Sequence, residues 1–122
     1  MKILIVDDED DIRTIARLAL TRVGGMDVRE AGSGPDGVRQ AAAERPDGIL
    51  LDVMMPGMDG PSTLAELQKN AATESIPVVF LTSKAMASEV DRLHALGARG
   101  VLIKPFDPMT LASELRAILS RD

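Results

Sequence analysis

A chain of 122 residues, 45% hydrophobic and 27% charged, is sized for one domain that buries its core without disulfide or metal staples. Cysteine is absent, which removes disulfide frameworks, thiol nucleophiles and thiolate metal sites, and two phenylalanines leave the core to aliphatic side chains. The net charge of −5 has the wrong sign for neutralising nucleic-acid phosphates, and residues 1–11 lack the apolar core of a signal peptide. No apolar run nears the roughly 20 residues of a membrane span, so the expectation is a cytoplasmic protein with no direct nucleic-acid or membrane partner.

Strand and helix signals then alternate five times. Residues 2–6 are a continuous apolar run, as in a central strand covered on both faces (β1). Ile12, Ile15, Ala16, Ala19 and Val23 fall at helical spacing before the stop Gly24-Gly25 (α1, 12–23). Residues 26–31 alternate Met26 and Val28 with Asp27 and Arg29, the pattern of an edge strand (β2). Pro35 suits the first turn of a helix running through Val38, Ala41 and Ala42 to Arg45 (α2, 35–45). Gly48-Ile49-Leu50-Leu51 is a buried strand (β3), and Pro61 opens a helix whose Leu64, Leu67 and Ala71 share a face (α3, 61–71). Residues 77–81 form the next strand, ending at Thr82 (β4). Met86, Val90, Leu93 and Leu96 give the following helix an inner face, and Gly97 stops it (α4, 86–96). After a strand at 100–103 (β5), Asp107 reads as an N-cap with Pro108 at the first helical position and Leu111, Leu115 and Ile118 as the buried stripe (α5, 108–118).

Strands alternating with helices imply a parallel sheet with helices on both faces. Five units are too few for a closed eight-stranded barrel, so the expectation for residues 1–122 is one doubly wound α/β domain, (βα)₅, flavodoxin-like, with the strand order 2-1-3-4-5 found in known folds of this class. That order places the crossover switch point, where such sheets bind ligands, between the ends of β1 and β3. Asp7 and Asp8 close β1 and Asp52 closes β3. Two full charges about 5 Å apart repel by about 3 kcal/mol at an effective dielectric near 20, so three carboxylates at one sheet edge call for a positive partner. Oxygen ligands without nearby His or Cys suit a hard divalent ion, Mg²⁺ above all. Thr82 after β4 offers a hydroxyl at the same rim, and Lys104 after β5 an ammonium able to meet a phosphoryl oxygen. A carboxylate can attack phosphorus to give an acyl phosphate, which makes Asp52 the candidate nucleophile.

The strand ending in Asp7-Asp8, the stretch Leu51-Asp52-Val53-Met54-Met55-Pro56-Gly57-Met58-Asp59-Gly60, the Leu81-Thr82-Ser83 end of β4 and Lys104-Pro105-Phe106 together resemble the receiver domain of two-component response regulators. The resemblance covers nearly the whole chain. It implies that Asp52 accepts a phosphoryl group from a sensor histidine kinase or histidine phosphotransfer protein, the receiver itself supplying most of the catalysis and only slow dephosphorylation. It further implies that Asp8, Asp52 and the backbone carbonyl of Met54 hold Mg²⁺, that Asp7 acts through an intervening water, that Lys104 pairs with the phosphoryl group, and that Thr82 moves toward it. The Lys104-Pro105 bond would be cis. The output would be a downstream protein bound through the α4–β5–α5 face, with a homodimer through that face as a further possibility, and a phosphotransfer shuttle suits the same residues.

This chain departs from the family pattern at Val101, where most receivers carry Tyr or Phe; signalling would then rest on the β4–α4 loop and α4. Met54 and Lys84 occupy places that influence acyl-phosphate lifetime, and the bulk of Met54 implies a long-lived phosphoryl state. Each residue also has a plainer reading. Asp8 or Asp10 can cap α1, Thr82 or Ser83 can cap α4, and Lys104 can be a solvated lysine. Gly57, Gly60 and Pro56 read as turn-shaping residues, Arg13, Arg17, Arg92 and Arg116 as solvated helix faces, His94 as a surface imidazole, and the methionines as gap fillers. Two other functions stay open: an aspartyl-phosphate hydrolase, although Val53 and Met54 stand where a second acid is usual, and a flavin binder, although Asp7 to Asp11 would repel its phosphate.

Overall fold

The computed structural model describes residues 1–121. Five parallel strands, β1 (Lys2–Val6), β2 (Asp27–Ala31), β3 (Gly48–Asp52), β4 (Val78–Thr82) and β5 (Gly100–Ile103), pair in the order β2-β1-β3-β4-β5. The helices are α1 (Asp10–Leu18), α2 (Gly34–Glu44), α3 (Gly60–Gln68), α4 (Ala87–Ala95) and α5 (Leu111–Leu119). The doubly wound architecture and strand order expected from the sequence are those observed.

Strand side chains alternate between sheet faces, and the two cores follow that pleat. Leu4, Val6, Ile49, Leu51, Val78 and Phe80 face Ala41, Leu64, Leu67 and Leu93 of α2, α3 and α4. Ile3, Ile5, Leu50, Val79 and Leu81 face Ala16 of α1 and Leu111, Ala112, Leu115 and Ile118 of α5. Every residue of β3 and β4 is buried, which explains their unbroken apolar reading, whereas edge strands β2 and β5 are partly exposed.

Local chemistry sets several boundaries differently from the periodicity. Helix α1 continues through a π-helical turn at Ala19–Val23, with Ala19 and Leu20 buried while Ile15 and Val23 face outward. Helix α2 starts one residue before Pro35, because the Ser33 side chain accepts a hydrogen bond from the Asp36 N–H at 3.2 Å, and it ends at Arg45 in the left-handed region. Helix α3 begins at Gly60, capped by Asp59 accepting from the Ser62 N–H, and stops at Gln68, so Ala71 lies beyond it and is exposed. In α4 only Leu93 is fully buried; Met86 and Leu96 flank the helix and are exposed. Asp107 does cap a turn, its carboxylate accepting from the Met109 N–H at 2.8 Å, but the regular helix of α5 starts later, at Leu111.

One close approach joins this scaffold to the end of β3. The Gly60 N–H donates to the Val53 carbonyl at 2.9 Å, and a Cβ on Gly60 would lie 2.4 Å from the Asp52 carbonyl oxygen and 2.8 Å from Val53 Cα. Both obstacles are backbone, so relief requires moving the Asp52-Val53 segment. Gly60→Ala is therefore expected to lower stability by about 1–3 kcal/mol, as overpacking does, and to displace the Asp52 and Val53 amide resonances. Urea unfolding followed by circular dichroism, with an amide correlation spectrum, checks both effects.

Candidate functional site

Strand register assembles the site. Val6 pairs with Leu51 and Leu51 with Phe80, so Asp7 and Asp52 follow side by side on adjacent strands. Asp7, Asp52 and Lys104 continue the alternation of Ile5, Leu50 and Leu102, all three on the α1–α5 side of the sheet. The Lys104 Nζ lies 3.0 Å from Asp52 Oδ1 and 3.2 Å from Asp7 Oδ2. Asp7 Oδ1 accepts the Glu9 N–H at 2.9 Å, and the Asp7 carbonyl accepts from Arg13 Nη1 at 2.7 Å. Arg13 also pairs with Asp10 and lies 3.4 Å from Glu30, so this arginine is a largely buried brace on the β1–α1 loop and not a solvated helix face.

Carboxylate oxygens of Asp7, Asp8, Glu9 and Asp52 all lie within 4.8 Å of one another. Asp52 is 4% exposed, and its Oδ2 and Asp8 Oδ1 have no hydrogen-bond partner among the described residues. Buried carboxylate oxygens are costly to leave unpaired, and two of them in one all-oxygen cluster match the donor set of a hard divalent cation. Burial pushes the Asp52 carboxyl above its ordinary range; the hydrogen bond from Lys104 opposes this, and the charges of Asp7 and Asp8 add to it. Burial lowers the Lys104 ammonium, but its hydrogen bond to Asp52 and the charges of Asp7 and Asp52 outweigh that, and the net movement is upward.

Thr82 is buried at the same edge and makes no hydrogen bond to the acids. It shares the pleat parity of Phe80, which packs on the α2–α3–α4 side, and its Oγ1 accepts the Lys84 N–H at 3.1 Å. That bond lies in the loop before α4, so Thr82 does not cap the helix. Met54 has an exposed side chain, and no described residue donates to its backbone carbonyl. Neither Asp8 nor Asp10 caps α1: the N-cap position is Glu9, with no side-chain cap hydrogen bond. The Lys104-Pro105 bond is cis, as the resemblance implied. Glu9 is the cluster member that the sequence did not single out; its only signal was its place in the acidic run 7–11.

The raised Asp52 value carries a pH dependence. A carboxyl whose folded-state pKa exceeds its unfolded one costs stability when ionised, and that cost sets in as pH rises from the unfolded value through the folded one. In chelator at neutral pH, Asp52→Asn is expected to melt a few degrees above the unaltered chain, the difference shrinking as pH falls toward about 4. Calorimetric melting across that range checks the sign.

The family model for the response regulator receiver domain matches residues 3–116. The transcriptional regulatory protein AfsQ1 of Streptomyces coelicolor is 36% identical over 121 residues, covering 98% of this chain and 51% of that protein. The chain thus spans about half the length of the transcriptional regulators it matches. Protein PilH of Pseudomonas aeruginosa is 37% identical over 119 residues, covering 98% of both chains. The chemotaxis protein CheY4 of Vibrio cholerae superimposes with a TM-score of 0.88 at 32% identity, over 96% of this chain and 97% of that one. The matched region runs from β1 into α5 and contains the whole acidic edge, and the chain belongs to the response regulator receiver domain family of two-component systems.

Proposed function

We propose that this receiver is a phosphorylation-driven switch in which Asp52 takes a phosphoryl group from the phosphohistidine of a sensor histidine kinase or histidine phosphotransfer protein. The observation that carries the reading is the buried, half-paired Asp52 carboxylate, held by Lys104 inside a cluster of acids. Asp8, Asp52 and the Met54 carbonyl would hold Mg²⁺, with Asp7 supporting it through water. When bound, the ion supplies neutralisation of charge on the transferring phosphoryl oxygens.

The Asp52 carboxylate attacks phosphorus, forming an O–P bond as the N–P bond breaks, and the electron pair of that bond returns to the imidazole nitrogen. Lys104, 3.0 Å from the attacking group, then has the new phosphoryl oxygens within reach of its ammonium. Modification adds about −1.5 to −2 charge and three acceptor oxygens. Thr82 uses its oxygen to accept from Lys84, so its hydroxyl proton is available to donate to those acceptors, drawing the β4–α4 loop inward. Val101 is half-buried and packs against the α2–α3–α4 core; a valine has no ring to swing, which leaves the loop and α4 to carry the signal.

The receiver would work in the cytoplasm, catalysing its own phosphorylation and slow dephosphorylation without turning over external esters. Its output would be a downstream protein, or a second copy, on the α4–β5–α5 face. No helix among the described residues is long and apolar enough to cross a membrane.

Incubation with Mg²⁺ and acetyl phosphate is expected to give one labile phosphate adduct by intact mass, absent from Asp52→Asn. An adduct that persists in that variant would overturn the assignment. Thr82→Ala is expected to take up the same adduct while the phosphorylation-induced amide shifts in residues 83–90 shrink, as read from correlation spectra with and without donor.

A further inference from the structure

Glu9 occupies the N-cap position of α1 by backbone geometry (φ −89°, ψ 112°), yet its side chain makes no capping hydrogen bond. Its carboxylate instead joins the acidic cluster, with Oε1 3.8 Å from Lys104 Nζ and an oxygen within 4.8 Å of those of Asp7, Asp8 and Asp52. The side chain is 61% exposed, so Glu9 stands at the mouth of the site, above the buried and unpaired Asp52 Oδ2.

We propose that Glu9 sets the charge of the loaded site, tightening divalent-cation binding and weakening the approach of small anionic phosphodonors. This rests on Asp52 being the phospho-acceptor. With all four carboxylates ionised against the one ammonium, the cluster carries three negative charges, and a divalent cation leaves one. Without Glu9 the loaded site is neutral. The residual charge therefore sits at the entrance, where an incoming phosphate dianion meets it first. A donor presented by a protein brings its own surrounding charges and escapes most of that repulsion, whereas free acetyl phosphate does not. Because Glu9 is exposed, its influence is moderate and screened by salt.

The test uses the full chain, Glu9→Gln and Glu9→Asp, all freed of metal by chelator. Titration calorimetry with MgCl₂ is expected to show about three- to tenfold weaker binding by Glu9→Gln, the gap narrowing at high KCl. Glu9→Asp, which keeps the charge, is expected to bind closer to the unaltered chain. At saturating Mg²⁺, the half-saturating acetyl phosphate concentration for adduct formation is expected to fall in Glu9→Gln. Phosphoramidate, which carries less negative charge, is expected to show a smaller fall. Equal Mg²⁺ affinity in the unaltered chain and Glu9→Gln overturns the proposal while leaving the Asp52 adduct in place. Failure of the unaltered chain to bind Mg²⁺ or form an adduct overturns both readings.

Discussion

The Lys104 ammonium, held between Asp7 and Asp52, ties the end of β5 to the ends of β1 and β3 and is the cation on which the acidic edge depends. A parallel sheet with this order brings those strand ends together whatever their residues, so placing acids on two adjacent ends creates repulsion that burial magnifies. One lysine offsets part of it. The remainder persists as the raised Asp52 carboxyl and as two oxygens without partners. Around this tension the backbone is braced: the Glu9 N–H and the Arg13 guanidinium both hold Asp7, and Arg13 reaches Glu30 at the end of β2. The unpaired charge is confined to the side chains that would meet a ligand.

The pleat divides the labour among these side chains. Asp7, Asp52 and Lys104 fall on the α1–α5 parity and Thr82 on the other, although all four lie at one edge. On the proposed roles, the group that would receive charge and the group that would respond to it thus start from opposite pleat parities. Gly60 seats the start of α3 directly on the Asp52-Val53 backbone.

Most of the architecture was legible in the chain because a two-faced parallel sheet leaves strong marks: fully apolar β3 and β4, a polar alternation in edge strand β2, and acids where β1 and β3 end. Assembly of Asp7, Asp8, Asp52 and Lys104 followed once the strand order of known folds of this class was adopted. What escaped were features decided by tertiary geometry. Apolar spacing placed Ala71 on α3 and Met86 and Leu96 on the inner face of α4, but spacing carries no information about how far a neighbouring layer extends. Arg13 read as a surface residue because its partners lie in a different strand and in the backbone of Asp7. Thr82 lies at the same edge as expected, but its bond with the Lys84 N–H could not be read from the chain, because it depends on the path of the loop after β4.

Helix α4 is more lightly seated than the two helices on either side of it in the chain, α3 and α5. Leu93 is its one fully buried residue, whereas α5 and α3 each sink several into the core. Burying a single leucine is worth about 1.5–3 kcal/mol, so the attachment is comparable in strength to one or two charged hydrogen bonds. A helix pinned at one point pivots at low energetic cost. Its resting orientation is therefore lightly held, and a pull on the loop that leads into it would turn an outer surface with little disturbance to the sheet beneath.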